Sequence, residues 1–367
     1  MEHAFGRLAP LRLGMEEELL LVRPRTHALA HVAPDIVPRL QPAAGEVKYD
    51  VYSALVESTS PVVANAHEGA AALAALRRDV LAAGGTLIGC GIHPDGAFGD
   101  VEHVDEERYA EVARQLQGLL RRTPTCALHL HVGMPDPETA IGACNRMREH
   151  LPLLQALAAH SPFWHGVDSG FVTARAQLFR GYPRAIVPRA FAGWEDYVEV
   201  VTAAVEAADV PDYSFLWWDI RPHPKLGTLE VRAMDAQARP GAVLGLAALV
   251  HALAVRAAQA GPASPADAPG AGEPWEAVME SSFRAGRDGL EATVRWRGRL
   301  QPIREVAATT IAEARPHARE LGAEDALEEV ERILREGNGA DRMRARFARG
   351  GMAEVLSGLV AEARPAV

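Results

Sequence analysis

The chain has 367 residues and a net charge of −10, with 48% hydrophobic and 23% charged residues; this is a globular composition whose bulk charge opposes nucleic acid or an anionic membrane as partner. Its three cysteines (Cys90, Cys126, Cys144) form no CxxC pair, so a reducing, cytoplasmic setting is expected rather than a disulfide scaffold. No basic-plus-apolar leader and no apolar run of about 18 residues stands out, so neither a signal peptide nor a membrane span is expected.

The first predicted strand covers residues 11–23 and ends at Pro24. Side chains alternate faces along a strand, so Glu16 and Glu18 share one face. Residues 47–64, VKYDVYSALVESTSPVVA, fit one or two strands and set Glu57 among apolar neighbours. A helix from His67 to Ala83 is stopped by Gly84-Gly85, and TLIGCGIHP reads as a short buried strand. The preceding glycines lack the spacing of a phosphate-binding loop. A second helix is expected from Asp105, as its N-cap, to Arg122. The strand TCALHLHVGM then places His129 and His131 on one face, with Leu128, Leu130 and Val132 on the other. Asp136 is the expected N-cap of the next helix, with Pro137 in its first turn and Pro152 kinking it.

Residues 161–193 are rich in Pro, Gly, aromatics and arginine without a steady period, which predicts a long substrate-covering loop. A helix is expected over 194–208. The stretch 216–234, LWWDIRPHPKLGTLEVRAM, predicts two strands joined by a Pro/Gly turn. Asp219 and Arg221 share a face of the first; Glu230 and Arg232 share a face of the second, with Leu229, Val231 and Ala233 opposite. Further helices are expected over 240–260, 275–290, 302–315, 323–336 and 340–362, with 261–274 a flexible linker that carries no chemistry. Strands and helices do not alternate. The expected fold is therefore α+β: one domain over 1–367, a mainly antiparallel sheet with helices packed on one side.

The polar face collects Glu16, Glu18, Glu57, Glu230, His129 and His131. Carboxylates brought within about 4 Å repel by roughly 1 to 4 kcal/mol per pair unless cations intervene. A carboxylate-dominated set suits Mg²⁺ or Mn²⁺ better than Zn²⁺, and such cations beside arginine are the parts that neutralise nucleotide phosphates. Taken singly, Glu16 and Glu18 read more often as a solvated edge, His129 and His131 as two satisfied histidines, and Glu230 and Arg232 as a surface pair. The histidines alone would also suit a zinc hydrolase. Together in one chain, each amid apolar residues, these pairs favour a site.

The segments LGMEEELLLV, GEVKYD…LVES, ERYAEV, ALHLHVGM, SPFWHGVDSGFVTARAQLF, WWDIRPHPKLGTLEVRAMD and RAGRDGLE occur in an order that resembles the carboxylate–amine ligase family. This family is also called glutamate–cysteine ligase type 2, a branch of the glutamine synthetase superfamily. The resemblance implies a curved antiparallel sheet with helices behind it, holding ATP and Mg²⁺ on its concave face. It implies metal-binding roles for Glu16, Glu18, Glu57, His129 and Glu230, and nucleotide contacts for His131, Arg221 and Arg232. Catalytic roles follow for Arg232 and Glu57, and substrate contacts for Arg175 and Arg287. Two departures stand out: Ser53, where many relatives carry a glutamate, predicts a weakened metal site, and Ser281-Ser282, where relatives often carry Asn-Arg, puts the amino-acid specificity in question.

The implied activity is ATP-dependent amide formation between a small-molecule carboxylate and an amine, through an acyl phosphate, in a homodimer. Glutamate and cysteine are one expected pair; a non-glutathione biosynthetic pair, or a binding module that has kept the fold, are the others.

Overall fold

The computed structural model describes residues 1–7, 9–264, 270 and 272–365. In chain order the elements are β1 (Leu13–Leu21), α1 (Ala33–Ile36), β2 (Glu46–Tyr49), β3 (Leu55–Thr59), α2 (Ala66–Ala82), β4 (Leu87–Ile88), α3 (Glu107–Leu116), β5 (Ala127–Gly133), α4 (Pro137–Met147) and α5 (Leu151–Ala158). There follow β6 (Phe163–Trp164), β7 (Val167–Asp168), α6 (Ala174–Phe179), α7 (Trp194–Ala208), β8 (Ile220–His223), β9 (Thr228–Asp235) and α8 (Pro240–Gln259). The C-terminal part holds α9 (Trp275–Asp288), β10 (Thr293–Trp296), β11 (Arg299–Pro302), α10 (Ile303–Glu320), α11 (Leu327–Glu336) and α12 (Gly339–Ala363).

The main sheet runs β2-β3-β1-β5-β9-β8, with β4 also on β1, and these pairings are antiparallel. One face is apolar: Leu13, Met15 and Leu19 of β1, Leu128 and Leu130 of β5, and Leu229 and Val231 of β9 join one core with α2, α4, α5 and α8. The α+β expectation of an antiparallel sheet backed by helices holds. Helix α8 is long and apolar enough to cross a membrane, with a mean hydropathy of 1.8 over its best window, which corrects the expectation that no such run exists. An all-round apolar helix must be covered; here 83% of that window is buried inside the protein, against α2, α4, α10 and α11.

Glu17 is a charged residue on this apolar face. Only 1% exposed, it accepts from Arg77 of α2 at both oxygens, Nε to Oε1 at 2.8 Å and Nη2 to Oε2 at 2.7 Å. Arg77 also donates to the carbonyls of Gln237, Ala238 and Ala363. One guanidinium thus ties β1, α2, the turn after β9 and the end of α12 together.

Several expected boundaries move. Glu106, not Asp105, precedes α3, and it makes no side-chain cap; the helix ends at Leu116 in a 3₁₀ turn, where Gln117 adopts a positive φ of 48°. Pro152 does not kink a continuous helix. α4 stops at Met147, a 3₁₀ turn follows, and α5 begins afresh with Pro152 in its first turn, where a missing N–H costs nothing. The stretch 161–193 is not a plain loop, since it folds into the β6–β7 hairpin and α6. The hairpin β10–β11 was not expected; it turns through Arg297 and Gly298, both at positive φ. Of the expected linker, residues 265–269 and 271 lie outside the described residues.

Removing Arg77 leaves a carboxylate buried without its partner. Arg77→Leu is expected to destabilise the fold by about 3–5 kcal/mol, seen as a lowered thermal midpoint. Glu17→Leu combined with Arg77→Leu is expected to be milder than Arg77→Leu alone, because the uncompensated charge is gone.

Candidate active site

Antiparallel register does the assembling. Glu18 lies opposite Glu57, and Glu57 opposite Lys48 of β2. Glu16 lies opposite His129. His131 lies opposite Glu230, and Glu230 opposite Arg221 of β8. Directly opposed residues project to the same side of a sheet, so pairing alone carries these groups onto the face turned away from the core. A bulge in the β5–β9 register between Leu128 and Leu130 shifts the alternation on β9 by one residue. Met234 therefore joins the core, while Asp235 takes hydrogen bonds from Ser161 Oγ at 2.7 Å, Thr173 Oγ1 at 2.9 Å and the His160 N–H at 2.9 Å. These bonds fasten the 160–175 segment to the sheet.

The side chains close into a cluster. His129 Nδ1 lies 3.5 Å from Glu16 and 3.9 Å from Glu18, and His131 Nε2 lies 3.6 Å from Glu16 and 3.7 Å from Glu230. These separations are longer than good hydrogen bonds, and Nε2 of both histidines is buried without a partner. Thr228 Oγ1, 3.0 Å from His131 Nδ1, fixes that ring so that Nε2 faces the two carboxylates. Glu16, His129 and Glu230 each offer a ligand atom, all within 4.8 Å of one another. Two carboxylates, one imidazole and unpartnered ring nitrogens fit a divalent cation of the Mg²⁺ or Mn²⁺ kind. Glu230 is also clamped by cations: Arg221 Nε approaches to 2.5 Å, and Arg232 Nη1 bonds its other oxygen.

The acids divide into two kinds. Burial opposes ionisation of Glu230, but Arg221 and Arg232 outweigh it and hold the carboxyl well below the usual range. Burial likewise opposes ionisation of Glu16, which His131 and His129 hold low. At the other corner burial, reinforced by Asp50 and Glu57, pushes Glu18 up to about 8. Burial, reinforced by Glu16, pushes Glu57 up to about 7 even with Lys48 Nζ at 3.0 Å. His129 is pushed down to about 4 by burial and then by Arg232, which keeps it neutral and able to ligate. Crowded carboxylates without a cation keep protons instead.

This face floors a cavity of about 1040 Å³, lined by Glu16, Glu18, Glu57, His129, His131, Arg175, Arg221, Glu230 and Arg232. Arg287 is the exception among the expected residues. It sits in the last turn of α9, half exposed, folded back on Asp288 at 2.8 Å and over Phe283, and it is not among the cavity-lining residues. Neither departure noted in the sequence lies on the cavity wall. Ser53 Oγ donates to the Glu102 carbonyl at 3.0 Å, Ser282 donates to Gln155 at 2.7 Å, and Ser281 Oγ accepts the Arg295 N–H at 3.0 Å. Sequence reasoning missed Asp50, a half-buried acid of the cavity wall whose carboxyl desolvation raises. It also missed Lys48. The available signal was an acid and a lysine within a β-branched run.

The description Glutamate-cysteine ligase family 2 (GCS2) matches residues 12–361. A sequence of Rubrobacter xylanophilus provisionally named glutamate–cysteine ligase 2-3 is 38% identical over 374 residues, covering 99% of each chain. The glutamate–cysteine ligase of Halobacterium salinarum is 34% identical over 289 residues, covering 77% of this chain and 80% of its own. Among solved structures, glutamate–cysteine ligase from Francisella tularensis in complex with AMP superposes with a TM-score of 0.72 at 12% identity, over 97% of this chain and 89% of that one. That likeness is one of fold.

A divalent cation held by Glu18 and Glu57 would have to displace their protons. Mn²⁺ affinity is therefore expected to rise as pH climbs from 6 to 8, about the range of those two groups, with protons released on binding. Calorimetry in buffers of different ionisation enthalpy counts them. An affinity flat across that range would contradict the proton-laden corner.

Proposed function

The chain belongs to glutamate–cysteine ligase family 2 and is an ATP-dependent carboxylate–amine ligase, and we propose that it activates a donor carboxylate as an acyl phosphate on the acidic face of its sheet. The observation that carries this reading is the convergence of Glu16, His129 and Glu230 within 4.8 Å of one another, beside Arg221 and Arg232 on the cavity floor. Divalent cations held by Glu16, His129 and Glu230, and at the other corner by Glu18 and Glu57, would supply the positive charge that phosphate oxygens need.

The chain's own residues do the positioning. Arg232, anchored on Glu230 with its Nε unpartnered, is placed to neutralise charge on the phosphoryl group in flight. Arg221 is held by Glu230 and by the carbonyls of Ser214 and Leu216, so its role is to keep Glu230 ionised and oriented. His131, with Nε2 turned to Glu16 and Glu230, lies on the same side and borders the space proposed for the phosphates. In the first step a donor carboxylate oxygen attacks the γ-phosphorus and the bond to ADP breaks. In the second the amine nitrogen attacks the acyl carbon, the bond to phosphate breaks and the nitrogen loses a proton. Holding both reactants in one cavity supplies most of what such a reaction requires. The names of the relatives make glutamate the first donor to test.

ADP release from MgATP with glutamate and a panel of amines measures the activity. Glu16→Gln and Glu230→Gln are expected to lower turnover by roughly 100-fold or more. Arg287→Ala is expected to leave it little changed, since that guanidinium lies off the cavity. Full turnover in either glutamine variant would overturn the assignment.

A further inference from the structure

The two ends of the cavity differ chemically. One carries Arg221, His131 and Glu230 on its floor, with Asp212, Ser214 and Lys225 above. The other, at Glu18 and Asp50, opens onto an apolar wall. Phe179, Tyr182, Trp217, Val51 and Leu116 line the cavity there and belong to one hydrophobic cluster. The rings meet edge to face, Phe179 to Tyr182 at 5.4 Å and Tyr182 to Trp217 at 6.3 Å. Phe179 and Trp217 are half-buried and line the cavity, with the Arg184 guanidinium 5.5 Å over the Trp217 ring. Neither the charged floor nor the transfer of a phosphoryl group calls for such a wall.

Arg175 stands at the same end. It is only 4% exposed, its guanidinium lies 5.4 Å over the Phe179 ring, and its Nε has no partner. Its remaining contacts are long: 3.8 Å to Asp235 and 3.4 Å to the Arg232 carbonyl. Asp235 already accepts from Ser161, Thr173 and the His160 N–H. A buried guanidinium with spare donors beside a half-buried aromatic wall of the cavity fits a ligand that is anionic at one point and apolar beyond it.

We propose that this end is the acceptor subsite and that it selects an aromatic α-amino acid over cysteine. The carboxylate of the acceptor meets Arg175, its ring packs on Phe179, Tyr182 and Trp217, and its amine faces the acidic floor where the acyl phosphate forms. The nitrogen then displaces phosphate from the acyl carbon, one C–N bond forming as one C–O bond breaks, with loss of a proton. The assignment of the acceptor rests on the ligase reading above, because that reading sets the phosphates beside His131, at the opposite end of the cavity.

The test is calorimetric titration of the protein, saturated with MgADP, by L-phenylalanine, 2-phenylethylamine and L-cysteine. Phenylalanine is expected to bind about tenfold or more tighter than either of the others, since cysteine lacks the ring and phenylethylamine the carboxylate. Trp217→Ala, and independently Phe179→Leu, which keeps apolar volume without a ring, are expected to erase most of that preference while MgADP affinity stays as it was. Cysteine binding as tightly as phenylalanine, no binding of phenylalanine, or a preference intact in both variants would overturn the proposal. So would a loss of MgADP affinity in Trp217→Ala, which would make the wall the seat of the purine. Failure of the ligase reading shows differently: no ADP release with any acceptor, while phenylalanine still binds and responds to both variants.

Discussion

Three consecutive glutamates occupy the central strand of the sheet, and the ion pair between Glu17 and Arg77 is what makes that tolerable. Alternation sends Glu16 and Glu18 to the cavity only if Glu17 points into the core. A lone buried carboxylate there would cost several kcal/mol. Arg77 meets it at both oxygens and spends its remaining donors on three backbone carbonyls, so neither charge is left unsatisfied. The pair also fixes register. A slip of one residue would turn Glu16 and Glu18 into the apolar layer with no guanidinium to receive them, and every cross-strand pairing that builds the cavity floor would be lost. The chemistry on one face thus depends on a single charged contact on the other.

With β1 held, the distribution of cations decides how each acid behaves. Glu230 sits between two arginines and stays ionised, while Glu18 and Glu57 share their corner with Asp50 and are pushed towards neutrality. Lys48, at 3.0 Å from Glu57, relieves that corner only in part. Such a site opposes folding through its own repulsion and gains most when cations arrive. This gives metal affinity and proton release a common origin.

How much of this could be read from the sequence depended on whether alternation stayed intact. In β1, β5 and β9 the paired polar residues flank core-type leucines and valines, so both the strands and their polar face were legible. Asp50 was not, because residues 50–54 lie between β2 and β3, where strand parity tells nothing about direction. Ser53 misled for the same reason: it stands four positions before Glu57, yet its hydroxyl turns to the Glu102 carbonyl. Arg287 follows from a motif, but its neighbour Asp288 captures it at the helix end. The β10–β11 hairpin has four residues per strand, too few for a period to emerge between two helices. Asp235 was hidden by the bulge on β9, which reverses the face that alternation would give it.

The same bulge explains why the walls of the cavity are unequal. By turning Asp235 away from the core it creates a buried anchor for Ser161, Thr173 and the His160 backbone, and the segment so fastened leads directly into Arg175 and Phe179. Bonds of this kind, out of water, resist salt and competition. Helix α3 completes the apolar wall with Leu116 and adds Glu107, Arg108 and Tyr109 to the cavity lining. It is tied by Tyr109 to the Tyr49 carbonyl at 2.8 Å, by the packing of Leu116, Val112 and Ala113 into the apolar cluster, and by the solvent-exposed contact of Arg114 with Asp209. Exposed pairs are screened and contribute little. One wall is therefore set by the sheet itself and carries the rings and the arginine that discriminate between ligands. The α3 side is held by the apolar cluster and by a neutral hydrogen bond, so ionic strength loosens only its rim and leaves the wall of rings in place.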